Sequence, residues 1–62
     1  MNEEAFNLGI RKFLKQFGVA AQRAIEDAAR SAPPGRPLKL RATLQIDGRS
    51  DACVQQADIQ PG

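Results

Sequence analysis

The run Ala32-Pro33-Pro34-Gly35-Arg36-Pro37 constrains this chain more than any other feature. Proline lacks a backbone N–H and its ring clashes with the preceding turn. Neither a helix nor a central strand therefore runs through three prolines within five residues. Pro33 also pushes Ala32 out of the helical region. The chain is divided into two stretches, and the hydrophobic period differs between them: near 3.6 before the run and 2 after it.

In the first stretch, Phe6, Ile10, Phe13, Leu14 and Phe17 fill a stripe about 100° wide at about 100° per residue. This predicts a helix over about 3–17, with Asn2 as its N-cap. Glu3 and Glu4 at its start, and Arg11, Lys12 and Lys15 towards its end, suit the helix dipole. Gly18 then stands where a left-handed C′ residue ends a helix, with Val19 folding back on the last turn. A second helix is expected over about 20–31, with Ala21, Ala24, Ile25, Ala28 and Ala32 on one face. Glu26 and Arg30 form an i,i+4 pair in the favourable order. Ala20 is a poor N-cap for such a helix.

Beyond the proline connector, 32–37, Leu38, Leu40, Ala42, Leu44 and Ile46 alternate with Lys39, Arg41, Thr43, Gln45 and Asp47. This is a half-buried strand over about 38–47. Asp47-Gly48 signals a hairpin turn. In the second strand, about 52–60, Ala52 and Val54 lie on one phase and Ala57 and Ile59 on the other. A bulge near Gln55-Gln56 would reconcile the two. The expected fold is α+β: a two-helix hairpin and then a β-hairpin, α-α-β-β, in a single small domain, 1–62.

Composition decides how such a domain is held together. Of its large apolar side chains there are 14: three Phe, five Leu, four Ile and two Val. Cores this small rarely supply more than ~3–5 kcal/mol. One cysteine allows no disulfide, and with no histidine there is no zinc site either. Eleven of the fourteen aim at one core: the five helix-one residues, faced by Ile25, Leu38, Leu40, Leu44, Ile46 and Ile59. Oligomerisation is the remaining staple. The open strand edges would pair across a two-fold axis into a four-stranded sheet, which makes a homodimer the favoured architecture.

Charge narrows the partners. Nine Lys and Arg against seven Asp and Glu leave a surplus of two. A nucleic-acid binder that depends on phosphates concentrates more positive charge than this. No apolar run approaches the ~20 residues that span a bilayer, and the acidic opening is not a secretory signal. Free Cys53 suits a reducing compartment, so the cytoplasm is expected.

Several strings at the N-terminal end carry a resemblance: Met1-Asn2-Glu3-Glu4-x-Phe6-Asn7, Ile10-Arg11-Lys12-Phe13-Leu14-Lys15, Gly18-Val19 and Gln22-Arg23-x-Ile25-Glu26. The chain resembles a small bacterial family of unknown function whose members open in this way and end in a strand pair. The likeness covers about the first 30 residues closely and the rest in pattern only. It implies no activity and no assigned site. Where the family tends to place a hydroxyl residue after Gly-Val, this chain has Ala20 and Ala21, and its connector is richer in proline.

No motif here assigns a chemistry, and no catalytic residue, cofactor or metal ligand is expected. Cys53, the one strong nucleophile, has no histidine to activate it, and Asp51 beside it would raise its pKa. It reads as a semi-buried structural cysteine. Asp47, Asp51 and Asp58 lack a metal-loop spacing. The segment 11–30 resembles a helix-turn-helix with the β-hairpin as a wing, but Ala24 stands where that motif wants a branched aliphatic residue. Glu26 and Asp27 on its reading face would repel phosphate. The candidate interaction surface is Leu8, Arg11, Lys12 and Lys15, joined by Lys39 and Arg41. The bland alternative is a solvated basic face with one ordinary exposed leucine. The expected function is non-catalytic, through contact with a second copy or another protein. A weak nucleic-acid-binding module is the alternative.

Overall fold

The computed structural model describes residues 1–50 and 52–60. The chain forms two compact units, Met1–Ser31 and Ala32–Gly62.

The first unit is one helix, α1, Glu3–Ser31, of 29 residues. The expected break at Gly18 is absent, so the αα-hairpin, with helices over 3–17 and 20–31, is corrected to a single rod about 43 Å long at 1.5 Å per residue. Gly18 is not among the residues with positive φ, and Val19 continues the helix with half its surface exposed. A glycine inside a helix costs about 1 kcal/mol relative to alanine. Breaking the helix there would leave up to four N–H groups unpaired at a new N-terminus, with only Ala20 as cap. Continuing is the cheaper course, and Ala20 and Ala21 are the best helix formers available.

The sequence carries a second signal for continuity. Each residue of the N-terminal stripe is followed by an apolar residue eleven positions on: Phe6 by Phe17, Ile10 by Ala21, Phe13 by Ala24, Leu14 by Ile25, and Phe17 by Ala28. Eleven residues are close to three turns at about 3.6 per turn. The two apolar faces assigned to separate helices are therefore in phase on one.

The ends of α1 follow local chemistry. The Ala5 N–H donates to Asn2 Oδ1 at 3.1 Å and the Phe6 N–H to the Asn2 carbonyl at 3.0 Å, so Asn2 caps the helix as expected. Glu3 and Glu4 occupy the first turn and Arg30 the last. Arg11, Lys12 and Lys15 lie mid-helix instead of near its end, and contribute little to the dipole. Arg30 pairs with Asp27, three residues back, in place of the expected Glu26. Glu26 instead accepts from Gln22 Nε2 at 3.4 Å. The helix stops at Ser31, just short of the Pro33-restricted Ala32.

In the second unit, the Arg36 N–H donates to the Pro33 carbonyl at 3.5 Å and Gly35 has φ 79°. With proline fixing φ at the second position and glycine supplying positive φ at the third, this is a type II turn. Strands β1, Leu38–Gln45, and β2, Ala52–Ile59, then pair antiparallel in a two-stranded sheet. The Asp47-Gly48 signal produces a turn in which the Arg49 N–H donates to the Ile46 carbonyl at 3.1 Å. Gly48 has φ 82° and Asp47 does not have positive φ, so this turn is type II as well. Ile46 and Asp47 belong to it, which shortens β1 from the expected 38–47.

The register is one-to-one, from Leu38 opposite Ile59 to Gln45 opposite Ala52. The bulge expected near Gln55-Gln56 does not occur. Gln55 instead joins the apolar face opposite Ala42, and Val54 the polar face opposite Thr43. A bulge is worth its cost where a buried face enforces the alternation, and none of the described residues is buried. An unbroken ladder keeps every backbone pair, and Val54 with Thr43 is a good β-branched cross-strand pair.

The expected single core of eleven large side chains is corrected too. Ala21, Ile25 and Ala29 of α1, and Leu38 and Leu40 of β1, are half-buried; the other residues of α1 and β1, and residues 53–59 of β2, are exposed. The reason follows from continuity. Two helices folded back would have pressed the phenylalanine stripe onto the alanine face. One helix carries both on the same side, so neither can cover the other.

Candidate interaction surface

On α1, Leu8, Arg11, Lys12 and Lys15 fall within an arc of about 100° on the side opposite the phenylalanine stripe. Leu8 is 65% exposed and points into solvent among the three cations. The structure thus brings four of the six candidate residues to one face. Val19, expected in a turn after Gly18, belongs to the same face. With Lys12, Lys15 and Gln16 it lines a shallow, open hollow. Glu4 and Glu26 flank the group, so the face is mixed in charge and not a uniform basic field.

Lys39 and Arg41 lie on the polar face of the strand pair, in the second unit. Asp58 stands directly opposite Lys39, and Gln56 opposite Arg41. These residues and Leu40 line a second open hollow. Two cations against one carboxylate leave this face weakly positive, and the cross-strand Lys39–Asp58 pairing has the sense that supports an antiparallel ladder. Both hollows are open to solvent.

Cys53 is exposed, on the sheet face that holds Leu44, its cross-strand neighbour. The semi-buried structural role expected of it is corrected: a two-stranded sheet has nothing of its own to cover either face. Asp51, read as its neighbour and as one of three aspartates, lies outside the described residues. Among the described residues, no group of three His, Cys, Asp or Glu is placed to hold a metal ion, and no helix is long and apolar enough to cross a membrane. The helix-turn-helix reading of 11–30 is corrected as well, because that segment contains no turn.

The residues that the sequence reading assigned to the interior form the larger surface feature. Phe6, Phe13 and Phe17 are 52, 50 and 48% exposed, and Ile10 and Leu14 are 41 and 54% exposed. The Phe13 and Phe17 rings stack at 6.4 Å between centroids with 14° between planes. An apolar stripe at helical spacing normally means a core-facing helix. The eleven-residue recurrence is the sequence signal for the unbroken helix that leaves this stripe without the alanine face against it.

A family model described as a family of unknown function (DUF6494) matches residues 1–61. The chain belongs to this family. The match runs through α1, the proline connector and both strands, so family membership extends beyond the N-terminal strings that first suggested it. No curated protein and no solved structure matches the chain.

Proposed function

We propose that this member of the family is non-catalytic and works through protein–protein contact, as a homodimer. The observation that carries the reading is the exposed stripe Phe6–Phe17, whose five apolar side chains each keep at least 41% of their surface open. Contiguous apolar patches larger than a few hundred Å² are rare on monomeric proteins and mark interaction sites. The open edges of β1 and β2 offer the same dimer a four-stranded sheet. Free Cys53 supports a reducing compartment, the cytoplasm, as the place of action.

Sedimentation equilibrium at tens of micromolar tests the reading. A mass twice the 6.7 kDa of the chain is expected, and a stable monomer refutes the homodimer. Duplex DNA at about 50 mM salt is the counter-test: micromolar binding that weakens steeply with salt would replace protein contact with a nucleic-acid partner.

A further inference from the structure

We infer that the homodimer forms by antiparallel pairing of α1 with α1 of a second copy, along the stripe that begins at Phe6 and ends at Ala28. The inference rests on the protein-contact reading above and adds the surface, the partner and the orientation.

The argument starts from a size gradient. The stripe is bulky in its first half, at Phe6, Ile10, Phe13, Leu14 and Phe17, and mostly small in its second, at Ala20, Ala21, Ala24 and Ala28, where Ile25 is the one large residue. Ala20, Ala24 and Ala28 are exposed, as are all five bulky residues. Well-packed helix pairs set large residues against small ones. The midpoint of Glu3–Ser31 is Phe17, so a flush antiparallel pair places Phe6 level with Ala28 of the second copy. Ile10 then meets Ala24, Phe13 meets Ala21, Leu14 meets Ala20, and Phe17 meets its own mate. A parallel pair does the reverse. It stacks phenylalanine on phenylalanine at one end, holds the axes apart there, and leaves alanine facing alanine across a gap at the other.

Electrostatics favour the same orientation. Antiparallel helices align opposite dipoles. The available area is sufficient. Three half-exposed phenylalanines offer about 100 Å² each, and with Ile10 and Leu14 the stripe offers on the order of 500 Å² per copy. Both copies together reach roughly the 1,000 Å² that a specific interface needs.

The test has two arms. In the first, Phe17→Glu places two carboxylates face to face at the two-fold axis, and glutamate is a better helix former than phenylalanine. The sedimenting mass is expected to fall from twice the chain mass to the chain mass at tens of micromolar. The second arm does not depend on that variant folding. In a Cys53→Ser background, Phe17→Cys is expected to form a covalent dimer under mild oxidation, and Phe6→Cys is expected not to. The latter's mate would lie about 33 Å away along the pair, far beyond the ~7 Å that a disulfide tolerates between Cα atoms. Equal cross-linking at both positions means parallel pairing and overturns the inference. A dimeric wild type with no cross-link through Phe17→Cys, or with its mass unaffected by Phe17→Glu, also overturns it and moves the interface to the strand edges. A monomeric wild type is a different result, since it removes the homodimer reading itself.

Discussion

Replacing Gly18 with alanine distinguishes a continuous helix from a helical hairpin by the sign of one free-energy change. In the continuous helix, Gly18 lies in the interior, without positive φ, and a Cβ built on it meets nothing within 4 Å. Alanine then gains helix propensity of about 0.8–1.0 kcal/mol and costs nothing in contacts. In a hairpin, the same residue would be the left-handed C′ position, where a Cβ costs about 1–2 kcal/mol. The two structures differ by about 2–3 kcal/mol in the predicted effect and are opposite in sign. Thermal unfolding followed by ellipticity at 222 nm, at one fixed protein concentration, reads the sign. In a domain of this size about 1 kcal/mol moves the midpoint by about 4–8 °C, so Gly18→Ala is expected to raise it by several degrees. Gly48→Ala supplies an internal contrast. Gly48 has φ 82° in the type II turn, so alanine there is strained although a Cβ has open space around it. A lowered midpoint in Gly18→Ala would falsify the continuous helix, whatever the behaviour of Gly48→Ala.

Three further outcomes follow from the same geometry. Asn2→Ala removes the acceptor for the Ala5 N–H and is expected to cost about 1 kcal/mol, seen as lost helicity and a lower midpoint; an unchanged melt would deny Asn2 its capping role. Asp27→Asn breaks the Arg30 pair, but both side chains are about three-quarters exposed (74 and 73%), so urea titration should show a change of less than about 0.5 kcal/mol. Cys53 is exposed, so Ellman's reagent should label it fully without denaturant; a thiol that reacts only after urea would mean that this sheet face is covered.

Much of the architecture was legible in the residues. The proline run separated a helical stretch from a strand pair because proline's missing N–H acts locally, whatever surrounds it. Asn2 was readable as a cap, and Asp47-Gly48 as a turn, for the same reason: short-range chemistry needs no partner. The candidate face Leu8, Arg11, Lys12 and Lys15 was also readable, since helix geometry alone brings those residues together. Gly18 and the second strand were harder. A glycine between two amphipathic segments suits a break as well as a continuation, and the decision lies in a small energy balance between propensity, capping and burial. The shift in apolar phase along β2 suggested a bulge only on the assumption that one sheet face is buried.

By itself, then, the sequence determined that a helical stretch precedes a strand pair across the proline connector, and that apolar material is arranged in ordered stripes. Those are consequences of backbone chemistry and side-chain period. Only the structure decided that the helix does not break. Because α1 runs unbroken through Gly18, its phenylalanine and alanine faces lie on one side. A stripe that looked like the inside of a small domain is instead a surface, because a straight helix cannot fold back to cover itself.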